Sequence, residues 1–201
     1  MNSTTVSFHD DQAVKNDIQQ RMLGHIERDE VIRSIGFANG RGCAVGCTYD
    51  TYNHADVARR SGVPVQLIHL LDYLHENTSD EIWKPKKGMP LAYRFWDAIP
   101  VGVDLQPVVH RIHAYIQERN AARTEGGIKA ICERVRDLHL RAANNDMPTD
   151  DEWTAAESAA EWSADAAADW HGGRSAELDA VAIELLRLLA ESDKHSEEWG
   201  V

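Results

Sequence analysis

The residues best suited to chemistry fall in one short segment. From Gly36 to His54 the chain reads GFANGRGCAVGCTYDTYNH, placing Cys43, Cys47 and His54 among glycines. Free N–H groups in a glycine-rich turn stabilise a thiolate or an oxyanion, and a nearby imidazole can take the proton. On that reading Cys43, Cys47 and His54 are the candidate catalytic residues of a cysteine-dependent hydrolase. The same turn could instead hold a small anion. Arg41, Gly42, Cys43, Gly46 and Cys47 would contact phosphate, and Tyr49, Tyr52 or Trp96 would stack on a base, with His54 at the edge. Lys86, Lys87 and Arg94, near the helix that Pro90 opens, would add positive charge. A third reading is structural: a free cysteine behaves as a small hydrophobe, and glycines permit a tight turn packed on helices. The residue types alone admit all three.

No metal or other cofactor is expected. The pattern C-x3-C…H supplies three of the four ligands of a closed zinc site. His110 and His113 share one helix face, but no third ligand is identified beside them.

The elements that must position these residues are helical. Asp10 or Asp11 can cap a first helix carrying Ala13, Val14, Ile18, Met22, Ile26 and Ile32 and stopping near Gly36. Asn39-Gly40 favours a tight turn or small hairpin. A short helix follows His54 and stops at Ser61-Gly62, and Pro64 opens the next, with Val65, Leu67, Ile68, Leu71 and Leu74 on its apolar face. Residues 76–90 read as a loop, Pro90 begins a helix to Ile99, and Asp104 can cap another. Residues 124–143 repeat the apolar spacing. Thr149-x-x-Glu152 is a capping box. It introduces an alanine-rich helix with Glu157, Glu161, Asp165 and Asp169 four apart, and a leucine-striped helix closes the chain. The fold class is all-α: an irregular bundle of about eight helices with one Gly/Cys-rich turn. One domain is expected, with residues 1–9 a loose tail, 10–148 the helical core and 149–195 a helical pair packed on it.

Charge and composition narrow the partners. The 201 residues carry a formal net charge of −12, which opposes attraction to a nucleic-acid backbone or an anionic membrane. Residues 56–74 resemble a helix-turn-helix, yet the second helix lacks Lys and Arg, so direct DNA binding is not expected. Three cysteines and no apolar leader read as a reducing cytoplasm. No apolar run approaches the roughly 20 residues that span a bilayer. The acidic helix 149–170 could dock on a basic partner, and its tryptophans could pack on a second copy as a C2 homodimer.

The order HxxRDEVIRSIGF, GRGCAVGCT, His54, SGVP, FWDAIPVGVDL and the alanine-rich repeat resembles a family of uncharacterised phage and prophage proteins. Their pattern is GCAVGC…H…LED…IPVG with an Ala/Trp/acid repeat. The resemblance covers about residues 25–190 and is most specific at 42–47 and 99–102. It brings no catalytic residue with it. It implies a phage accessory protein acting in the host cytoplasm, by analogy one that counters host immunity. Such a protein would sequester a small anionic, nucleotide-derived signal or block a host immune protein. The family's acidic pair after the apolar helix is reduced here to Asp72, which puts any role needing two carboxylates in doubt.

Overall fold

A computed structural model describes residues 5–156 and 174–193. The acid ladder Glu157, Glu161, Asp165 and Asp169 lies outside the described residues, as do Trp162 and Trp170. The fold is all-α, with one two-stranded hairpin among the described residues. No helix among the described residues is long and apolar enough to cross a membrane.

The chain forms two compact units, Met1–Leu105 with Ser175–Val201, and Gln106–Arg174. The expected division at residue 149 is therefore displaced. Helices α7 (Gln106–Ala121) and α8 (Gly126–Ala143) belong with the capping-box segment rather than with the N-terminal core. The closing helix α9 (Arg174–Ala190) belongs to the first unit. Its Asp179 carboxylate accepts the Ser79 N–H at 2.8 Å.

In the first unit, α1 (Gln12–Glu27) starts where the Asp11 side chain accepts the Ala13 N–H. It ends at Glu27, nine residues before Gly36, although the apolar spacing continues to Ile32. Tertiary pairing overrides the local pattern. The Ile32 N–H donates to the Gly42 carbonyl at 2.8 Å and the Gly42 N–H to the Glu30 carbonyl at 3.0 Å, so this stretch runs extended. Strands β1 (Phe37–Ala38) and β2 (Arg41–Gly42) pair antiparallel. Asn39 and Gly40 both take positive φ, 52° and 78°, the type I′ geometry this dipeptide favours. Helices α2 (Gly46–Tyr49), α3 (His54–Ser61), α4 (Val65–Asn77), α5 (Asp80–Trp83) and α6 (Leu91–Ala98) follow. Two of these boundaries differ from expectation: α5 lies inside the expected loop, and α4 runs on through Glu76.

The core gathers Ile18, Met22, Leu67, Ile68, Leu71, Leu74, Leu91, Phe95 and Trp96, all essentially inaccessible. Ser7 and Phe8 of the expected N-terminal tail are also part of it. Phe8 is 0% exposed, its ring lies 6.4 Å from that of Trp96, and the Ser7 hydroxyl donates to the Pro100 carbonyl at 2.6 Å. In the second unit α7 packs along α8. The capping box forms, with the Thr149 N–H donating to Glu152 Oε2 at 2.8 Å and the Glu152 N–H to Thr149 Oγ1 at 3.3 Å.

Candidate functional site

The glycine-rich segment is folded tightly on itself, and its amides are engaged. The Cys43 N–H donates to the carbonyls of Ile35 and Gly36 at 2.8 and 3.1 Å, and the Cys47 N–H to that of Cys43 at 3.0 Å. The Gly46 N–H points at Cys43 Sγ, 3.4 Å away. Glycine is required here for close approach. A Cβ on Gly46 would sit 1.8 Å from the Gly36 carbonyl oxygen, and one on Gly42 2.5 Å from the same atom. The expected anion cradle of Gly42, Cys43, Gly46 and Cys47 amides is thereby overturned: these donors face carbonyls and a sulfur.

The reactive-thiol expectation fails on the same geometry. Cys43 and Cys47 are 1% and 0% exposed. Burial pushes each thiol up to about 12, and the neighbouring Asp72 adds to the rise at Cys43. The Cys47 thiol donates to the Gly42 carbonyl at 3.3 Å. Activation also needs an imidazole between thiol and carboxylate, whereas here the carboxylate lies between Cys43 and His54. Alkylation by iodoacetamide near neutral pH should therefore label the half-buried Cys132 first. Peptide mapping should find Cys43 and Cys47 unmodified until the chain unfolds. Rapid labelling of either would restore the nucleophile reading.

The other candidates disperse. Trp96 is 0% exposed, so its ring cannot stack on a ligand. Tyr49 is 8% exposed and the Arg60 guanidinium covers its face at 3.5 Å. Lys86 and Lys87 are exposed in the segment between α5 and α6, Arg94 is half-buried on α6, and Arg41 is exposed at the hairpin. Among the described residues none of these four cations pairs with Tyr52, His54 or Asp72.

Tyr52, His54 and Cys43 do converge, and what they converge on is Asp72. The Tyr52 hydroxyl and His54 Nε2 both donate to Asp72 Oδ2, at 2.8 and 3.0 Å. Asn53 fixes this arrangement by capping α3: its side chain accepts the Asp56 N–H at 2.9 Å, which sets His54 at the first helical position. His54 stacks on His69 of α4, with centroids 4.2 Å apart and planes within 11°. Hydrogen bonding to the Asp72 carboxylate holds the Tyr52 hydroxyl up at about 12.

Asp72 does not stand alone. Glu76 follows one turn later on α4, and Cys43 Sγ, an Asp72 oxygen and a Glu76 oxygen lie within 4.8 Å of one another. Residues i and i+4 share a helix face. The sequence hides this second carboxylate because residues 76–90 read as a loop. Glu76 Oε2 accepts the Ser34 N–H at 2.8 Å, and burial first, then Asp72, raise its carboxyl above the usual range. Asp72 Oδ1 is buried without a hydrogen-bond partner.

No protein-family model, characterised protein or solved structure matches the chain. The reading of the site therefore rests on its own geometry.

Proposed function

We propose that the protein binds a divalent metal ion through Cys43 Sγ, Asp72 and Glu76. The observation that carries this is Asp72 Oδ1, a buried oxygen without a hydrogen-bond partner, on a carboxylate grouped with Glu76 and the Cys43 thiol. Leaving such an atom unsatisfied costs roughly 1–3 kcal/mol, and a like charge nearby adds to the cost. A cation resolves both. Oxygen ligands near 2.0 Å and a sulfur near 2.3 Å put ligand atoms roughly 3.3–3.5 Å apart around a tetrahedral ion, so the cluster, now within 4.8 Å, would contract onto it. One thiolate with two carboxylates suits Zn2+ or Co2+ better than Mg2+ or Ca2+. Tyr52 and His54 would act as the outer partners that orient Asp72.

Three protein ligands leave a coordination position open, as in metal sites that act on or hold a ligand. A small anionic ligand, nucleotide-derived or otherwise, would meet two carboxylates here, so the ion is what would attract it. Tyr52, 52% exposed, offers a ring at the rim. This reading replaces the glycine-amide cradle while keeping the phage-type role of holding an anionic signal. It also departs from the expectation that no metal is needed.

Titration with Co2+ tests the site, because a Co2+–thiolate bond gives a near-ultraviolet charge-transfer band. One equivalent should raise that band in the parent protein. Cys43→Ser should abolish the band, and Glu76→Gln should weaken binding by more than about tenfold. Absence of the band at saturating Co2+ would remove the proposal.

A further inference from the structure

The sequence places His110 and His113 on one face of α7 without a third partner. The structure supplies one from α8. His110 Nδ1 and His139 Nδ1 face each other at 3.1 Å. The His113 ring lies parallel to that of His139, with centroids 5.1 Å apart and planes within 15°. Trp153 closes the cluster, 4.9 Å from His139 and 6.4 Å from His110 between centroids.

Among the described residues, three imidazoles meet here. Burial lowers all three pKa values. At His139 the neighbouring His113 and His110 lower it further, to about 4. The rings are therefore neutral at pH 7, with bare nitrogen lone pairs. Of the two facing Nδ1 atoms, at least one must carry the proton that joins them. A metal ion can take the place of that proton. Two nitrogens bound at 2.0–2.1 Å to a tetrahedral ion lie roughly 3.3 Å apart, close to the separation already present.

We infer that His110, His113 and His139 form a second divalent-metal site, of the imidazole class that takes Zn2+ or Ni2+, within the unit 106–174. His110 and His139 are the preformed pair, and His113 joins by turning its ring out of the stack about its side-chain bonds. The fourth position is left for water or an external ligand. Neutral imidazole is the ligand form these metals prefer. Trp153 supplies an apolar wall that limits solvent on one side.

This site is independent of the one at Cys43, and the two are separable by experiment. Calorimetric titration of the full-length protein with Ni2+ should show saturable binding, weakened more than about tenfold in His139→Gln and in His110→Gln. The Cys43→Ser variant should retain it. The Co2+–thiolate band belongs to Cys43 alone, so its presence or absence leaves this result unaffected. Should a histidine variant fail to fold, imidazole 15N resonances of the unaltered protein with Zn2+ decide the matter. The Nδ1 signals of His110 and His139 should shift on saturation. Parent-like Ni2+ affinity in both folded variants, or unmoved Nδ1 signals, would overturn the assignment.

Discussion

Gly46→Ala is expected to leave no folded protein. The added Cβ would lie 1.8 Å from the Gly36 carbonyl oxygen and 2.8 Å from the carbonyl carbon. Both are backbone atoms, so no side chain can swing aside. The opposing segment cannot retreat freely either, because the Cys43 N–H holds the Ile35 and Gly36 carbonyls and β1 is paired to β2. Relief would require opening the hairpin and the start of α2 together. Point substitutions costing more than about 4–5 kcal/mol are exceptional, and that cost is comparable with the whole stability of many domains, about 5–15 kcal/mol. Thermal unfolding followed by circular dichroism should show no cooperative transition. The control is Gly127→Ala in α8, where a Cβ meets nothing within 4 Å. It should melt like the parent or up to about 1 kcal/mol more stably, since alanine favours helix. A cooperative Gly46→Ala melt within a few degrees of the parent would refute the close-approach argument.

Phe8→Ala should cost about 3–5 kcal/mol, the range for emptying a buried aromatic site. The ring is 0% exposed between Trp96 and the Lys15 ammonium, which stands 5.8 Å from its centroid. Lys15 in turn donates to the Asp97 and Ile99 carbonyls at 2.9 and 2.6 Å, so the aromatic contact is tied into the end of α6. Phe8 also holds a left-handed φ of 53°. Alanine tolerates that region no better than phenylalanine, so the substitution recovers no backbone strain. Urea unfolding should show a lowered midpoint with an unchanged slope. A loss below about 1 kcal/mol would return residues 5–10 to the status of a dispensable tail.

Much of the helical plan is legible in residue spacing. The Asp11 cap, the Asn39-Gly40 turn, the Gly62 stop and the Thr149/Glu152 box are local signals, and each forms with local atoms. What the spacing cannot carry is pairing between distant segments. The apolar run to Ile32 reads as helix, but Glu30 and Ile32 bond to Gly42 and straighten the chain. The tail composition of residues 1–8 conceals Phe8 because its partner is Trp96, far along the sequence. The candidate site was half visible for the same reason. Cys43, Tyr52 and His54 stand out by type, whereas Glu76 joins them only because α4 continues two residues past the expected boundary. The histidine pair on α7 announces itself at i,i+3, but its partner His139 depends on how α8 packs.

The ligands at the first site come from well-separated stretches of chain, Cys43 on one side and Asp72 and Glu76 on the other. An ion held there would clasp a loop of about thirty residues, so it would act as a removable staple on the unfolding reaction. An ion at one hundred times its dissociation constant adds about 2.7 kcal/mol. The working lifetime of the molecule would then follow the supply of that ion in its surroundings, and starvation for it would be felt first as fragility.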